Sequence, residues 1–286
     1  MSDSGKQRRL SRIISPDSRR TVIVPLDDSL ICGPIWRLAP LRITVDEIAM
    51  EQPDAILGFR GLVRCNAAAL TSIPYILNLC ASTTKGEYTR KFVIGCVEEA
   101  VAMDMQAVAV HVNISSRFER EMLTILGRIG ADCSKFGMPL MAIMYARSER
   151  GADDQTYEYA DLAASSPEEY AAILAHAVRI GVELGADIVK TQFSGTIDSF
   201  RRVVEAAAPI PVVVAGGPPI TAEAMLQRAS DVLTAGAAGV SFARNVFARR
   251  KPGAAVRALK AVVHGQLSVR EVMSQFEHQL SLCPEV

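Results

Sequence analysis

Eight short runs rich in β-branched residues recur along this chain, separated by longer stretches with apolar residues at helical spacing. They fall at residues 21–26, 55–58, 75–79, 107–112, 140–144, 188–192, 212–215 and 239–242. Such an alternation predicts parallel strands joined by helices, because parallel neighbours need a crossover of a dozen or more residues. Eight units predict an α/β fold closed into a (β/α)8 barrel. With 286 residues the chain has the length at which such a barrel folds as one domain. The competing architecture is a doubly wound open sheet. That fold normally carries a glycine-rich turn after its first strand, and "PLDDSLICGP" lacks GxGxxG.

Helices are expected between the strands. Residues 92–104 are one, and residues 118–136 place Met122, Ile125, Leu126 and Ile129 on one face. Residues 168–184 follow Ser165 and Ser166 as capping candidates ahead of Pro167. The polar stretch 147–166, "RSERGADDQTYEYADLAASS", would lie over the C-terminal mouth as a lid or a solvated loop. Residues 267–282 form an additional amphipathic helix, suited to packing on the barrel or on another subunit. The basic start, "MSDSGKQRRLSRIISPDSRR", lacks the apolar core of a signal peptide and reads as a flexible arm leading into a cap, with a transit peptide the alternative. The resulting division is an arm and cap at 1–20, the barrel at 21–264 and a helical extension at 265–286.

Formal net charge is zero, so no global positive field would draw in nucleic acid or an acidic membrane surface. Anion binding must be local. The six cysteines are dispersed and form no CxxC pair, which points to reduced thiols in a cytoplasmic compartment. His111, His176, His264 and His278 show no HxxxH or HExxH spacing, so neither a metal site nor a cofactor is expected. No run approaches the ~20 apolar residues of a membrane span.

One strand carries an anomaly. "GADIVKTQFSG" places Lys190 inside an apolar run, although burying an ammonium costs several kcal/mol unless it loses its proton or finds a partner. A strand-end lysine reaching back to solvent is the ordinary explanation. The period-two rule, however, puts Ile188, Lys190 and Gln192 on one face and Val189 and Thr191 on the other. If Val189 meets the helices, Lys190 points into the barrel. There its pKa would fall, and a neutral amine can form a Schiff base with a ketone. Asp27 after the first strand and Tyr145 after the fifth stand at the same rim and can move the protons that chemistry requires. At the last two strands, "VVVAGGPP" and "GVSFARNVF" supply Gly216, Gly217 and Arg244, a set suited to holding phosphate through backbone amides, a helix N-terminus and a guanidinium, or an ordinary turn with a solvated arginine.

Five motifs, "VEEAVAMDMQAVAVHVN", "GMPLMAIMYAR", "GADIVKTQFSG", "VVVAGGPP" and "GAAGVSFARNVF", together resemble the archaeal-type class I aldolases, whose members include aminodideoxyheptulosonate synthases and fructose-bisphosphate aldolases. The resemblance runs from about residue 12 to residue 264. It implies Lys190 as the Schiff-base lysine, Asp27 in "VPLDDS" and Tyr145 in "MYARS" as its proton-transfer partners, and Gly216, Gly217, Ala243 and Arg244 as the phosphate site. The implied substrates are a phosphorylated ketose or dihydroxyacetone phosphate and an aldehyde such as aspartate semialdehyde or glyceraldehyde 3-phosphate. A homo-oligomer is implied by analogy. The chain departs from the family pattern at Asp28 and Ser29, at Ala146 and Ser148, at Pro219 and at Ala243. The expected function is a class I aldolase or transaldolase of the synthase type in aromatic-precursor or specialised metabolism. The alternatives are a fructose-1,6-bisphosphate aldolase and a non-catalytic barrel that binds sugar phosphates.

Overall fold

Strands whose side chains point alternately into a barrel and out toward helices close into a ring when each pairs with two parallel neighbours. The computed structural model, which describes residues 3–34, 41–149 and 159–283, shows this closure. The barrel strands are β1 (Thr21–Pro25), β2 (Ala55–Gly58), β3 (Tyr75–Asn78), β4 (Ala107–Ile114), β5 (Leu140–Ala146), β6 (Ile188–Thr191), β7 (Val212–Ala215) and β8 (Gly239–Ser241). All pairings are parallel, and the ring closes where Thr21 of β1 meets Gly239 of β8. Gly239 has φ +153°, and a Cβ there would sit 1.9 Å from the Thr21 carbonyl oxygen, so the closing contact requires glycine.

The eight predicted strands are all present, each starting where expected, and six of them end one or two residues from the predicted end. The inward positions Ile23, Leu57, Ile76, Ala109, Met141, Ile188 and Val213 form one cluster, while outward Val22, Val108, Leu140, Val189 and Val214 pack against the helices. Glu119–Phe136 ends where Gly137 turns left-handed at φ 59° and buries Met122, Leu126 and Ile129, whereas Ile125 stays half-buried. Pro167–Glu183 starts on Pro167 as expected. Ser166 stands at its N-cap without a side-chain cap bond, and Ser165 instead donates to the Asp161 carbonyl at 2.8 Å.

Three expectations are corrected. Residues 92–104 are not one helix: Phe92–Val93 pairs antiparallel with Cys80–Ala81, and the helix is Val97–Ala102. The apolar spacing continued through a short ladder that helical periodicity does not distinguish. The basic arm is a helix, Asp3–Ile13, because Ile13 is fully buried against the inward cluster at the N-terminal end of the barrel, with Leu10 and Ile14 packed beside it. The terminal helix is shorter than predicted, Val269–Phe276 followed by a 3-10 turn, and it packs on the barrel's own helices through buried Val272. Arg249, fully buried, donates to the Leu280, Asn245 and Ile220 carbonyls and so fastens this tail to the loops after β7 and β8. Residues 150–158 of the predicted lid lie outside the described residues, and the described remainder includes the helix Ala160–Ser165. Among the described residues, no helix is long and apolar enough to cross a membrane.

Ile13→Ala is expected to destabilise the fold by about 2–5 kcal/mol, since the cavity it leaves is walled by a rigid barrel. Urea denaturation measures this, and a loss below about 1 kcal/mol would show that the helix does not stopper the barrel.

Candidate active site

The C-terminal ends of the strands enclose a cavity of about 300 Å³. Lys190, Asp27, Tyr145, Gly216, Gly217, Ala243 and Arg244 all line it. β6 carries Lys190 inward between Ile188 and Gln192, and Val189 faces the helices. Thr191, also outward, donates to the Met144 carbonyl at 2.8 Å and pins β6 to β5. Lys190 is 6% exposed. Its burial holds the amine below the usual lysine range, while Asp27 and then Asp28 act in the opposite direction.

Asp27 ends the first strand's reach and opens the helix Asp28–Cys32. Its Oδ2 accepts from the Asn78 amide at 2.8 Å, so the residue after β1 is held by the last residue of β3. Asp28, a departure from the family pattern, also lines the cavity. Its carboxyl is raised to about 6, first by burial and then by the neighbouring Asp27 charge, against the pull of Arg244, Lys190 and Lys91.

Tyr145 lies inside β5 rather than after it, because the ladder with β4 continues through Asn113–Tyr145 and Ile114–Ala146. The ring meets His111 edge-on, with centroids 4.8 Å apart, and the Arg147 guanidinium lies 5.6 Å from the Tyr145 centroid. His111 Nε2 is 3.1 Å from Asn113 Oδ1, and the Asn113 amide nitrogen donates to the Thr89 carbonyl. That orientation leaves Oδ1 as an acceptor only, which places the histidine proton on Nε2. Burial, then the charges of Lys91, Arg147 and Lys190, drive the His111 pKa well below its ordinary value, so the imidazole is neutral.

The loop after β7 is shaped by one side chain. Asn245, fully buried, donates to the carbonyls of Gly216 at 2.9 Å and Pro218 at 3.0 Å, and accepts from the Ile220 amide. These bonds tie the β7 loop to the β8 loop. Gly217 has φ +67°, and a Cβ on Gly216 would press Phe242 at 3.0 Å and Asn245 at 3.1 Å. The element after β8 is a single turn, Arg244–Phe247, so the helix dipole expected there is short and the Arg244 guanidinium is the main positive group.

Sequence reasoning did not assign His111, Tyr88 or Arg147, which line the same cavity, nor Lys91 behind them. Alternation along β4 carries a signal for His111, which shares its face with Ala109 and Asn113. Tyr88 and Lys91 come from an irregular segment between β3 and β4, where no periodicity exists to reveal direction.

The family model described as DeoC/LacD family aldolase matches residues 21–249. This chain belongs to the DeoC/LacD aldolase family. The matched span includes all eight barrel strands, from the first residue of β1 to Arg249. This aldolase-family chain is 39% identical over 265 residues to 2-amino-3,7-dideoxy-D-threo-hept-6-ulosonate synthase of Halobacterium salinarum, covering 92% of the chain and 93% of the relative. It is 36% identical over 259 residues to 2-amino-4,5-dihydroxy-6-oxo-7-(phosphonooxy)heptanoate synthase of Streptomyces griseus, covering 90% and 89%. An archaeal fructose-1,6-bisphosphate aldolase, solved with its catalytic lysine covalently bound to the carbinolamine intermediate, superposes with a TM-score of 0.77 at 29% identity, over 91% of this chain and 100% of that one.

Proposed function

We propose that this member of the family is a class I aldolase or transaldolase that joins a ketose-phosphate-derived donor to an aldehyde. The observation that carries the reading is Lys190, held 6% exposed on the inward face of β6 with its amine depressed by burial and with carboxylate groups close enough to oppose that shift. In this reading the neutral Lys190 amine attacks the donor carbonyl to give a carbinolamine, which loses water to form the iminium. Removal of a proton from the adjacent carbon gives an enamine, whose carbon attacks the aldehyde while the aldehyde oxygen takes up a proton. Water then hydrolyses the iminium and releases product. Asp27 and Tyr145 move these protons. Gly216, Gly217, Ala243 and Arg244 hold the donor phosphate.

Similarity to two synthases whose names describe amino-ketoheptose acids supports a synthase-type reaction with an aldehyde such as aspartate semialdehyde. Fructose-1,6-bisphosphate cleavage is the second reading, supported by the solved aldolase relative. Borohydride reduction with dihydroxyacetone phosphate, fructose 1,6-bisphosphate or a deoxyketose phosphate, followed by intact-protein mass measurement, tests the reading. One covalent adduct per chain is expected, and the ketone that traps names the donor. No adduct from a folded protein would overturn it. Arg244→Ala is expected to raise KM about tenfold or more for phosphorylated donors. An equal rise for unphosphorylated dihydroxyacetone would remove Arg244 from the phosphate site.

A further inference from the structure

The cavity carries positive charge on two sides. In a ring of eight strands β3 stands opposite β7, and β4 opposite β8. Gly216, Gly217 and Arg244 belong to the loops after β7 and β8. Across the barrel, Tyr88 and Lys91 come from the segment between β3 and β4, and Arg147, which directly follows β5, reaches the same Tyr88 ring. The two cations share one ring: Lys91 Nζ lies 4.2 Å and the Arg147 guanidinium carbon 4.9 Å from the Tyr88 centroid. Lys91 is 2% exposed and donates to the Ser82 hydroxyl, and Arg147 is 4% exposed. Glu149, two residues beyond Arg147, accepts from Thr89, Ser116 and the Arg117 amide.

Two cationic side chains packed on one ring, one of them lining the cavity, make a positive corner there. Burial first, and then Arg147, lower the Lys91 pKa to about 7, although Asp27 pulls it upward. An anion in the cavity beside Arg147 is attracted by both groups. The Tyr145 ring lies within reach of the same guanidinium, at 5.6 Å, which sets the cluster beside the proposed proton-transfer residue.

We propose that the Lys91–Tyr88–Arg147 cluster is a second anion subsite, which takes the carboxylate or phosphate at the far end of the acceptor aldehyde. The assignment rests on the class I aldolase reading above and adds the acceptor's chemical class to it. Arg147 lines the cavity and makes the direct contact. Lys91, behind the Tyr88 ring, is a positioning residue that sets the field at the subsite.

Wild type, Lys91→Met and Arg147→Met are compared with dihydroxyacetone phosphate as donor and with succinate semialdehyde, glyceraldehyde 3-phosphate and butanal as acceptors. The expected wild-type result is a preference for at least one charged aldehyde over butanal in kcat/KM. That preference should fall about tenfold or more in both variants, through KM, while the donor still forms its Lys190 adduct. Which charged aldehyde responds tells carboxylate from phosphate. Parallel losses with butanal, a wild type that prefers neither charged aldehyde, or variants that fold but lose the donor adduct would overturn the subsite. A wild type that traps no ketone rejects the Schiff-base reading instead. In that event calorimetric titration with 4-hydroxybutanoate and glycerol 3-phosphate, which cannot form an iminium, reads the subsite directly. Weaker binding of either by tenfold in both variants supports it, and unchanged binding of both overturns it.

Discussion

Lys190→Met is expected to bring carbon–carbon bond formation down to the uncatalysed rate and, at the same time, to raise the melting temperature. The first effect follows because no other group can replace the covalent electron sink that an iminium provides. The second follows from the linkage between protonation and folding. Lys190 has a lower pKa in the folded barrel than in the unfolded chain, so the unfolded state binds the proton more tightly. The resulting penalty is full below the folded pKa and fades as the pH rises to lysine's ordinary value of 10.5. Methionine fills similar space and carries no charge, so the stability gain should be largest at neutral and mildly acidic pH and vanish above about 10.5. Paired melting curves and turnover assays across pH measure both effects. A variant that keeps turnover would reject Lys190 as the nucleophile, and one that melts lower at neutral pH would show that the amine has a stabilising partner after all.

The second large effect is expected at Tyr145. Tyr145→Phe should lower kcat by about 10²–10⁴-fold, the usual worth of a positioned acid or base, while the ketone still traps on Lys190. The distinction matters because the proposed role gives the hydroxyl the proton movement and not the amine's attack on the donor. His111 supports the ring from its edge, as a neutral group that donates its only N–H to Asn113 and so does not compete for the same proton. Single-turnover trapping alongside steady-state assays separates the two steps. Loss of trapping together with turnover would instead make the tyrosine a group that shapes the donor pocket.

Much of the barrel is legible in the chain because strand faces are written at period two. Val189 and Lys190, on opposite faces of β6, illustrate this: the apolar neighbour fixes the outside, and the lysine must therefore point inward. The same rule leaves the segment around Tyr88 and Lys91 unread, since direction in an irregular loop is set by what the loop packs on. Phe92 and Val93 mislead for a related reason. Their apolarity continues a helical pattern, yet both are exposed and pair with Cys80 and Ala81. Asn245 shows a third limit. It follows Arg244 in a motif that draws attention to charge, while its buried amide ties two loops together through bonds that exist only once β7 and β8 are neighbours.

The helix that seats Ile13 in the barrel's lower end has a kinetic consequence. Ile13 and the inward side chains of the strands pack that end solid, so in the proposed reaction both reactants arrive, and the product leaves, at the C-terminal mouth. With Lys190 as the proposed nucleophile, buried on the inward face of β6, the ketone is expected to bind before the aldehyde. An aldehyde that enters first obstructs the passage. Excess acceptor should therefore slow the reaction competitively against the donor.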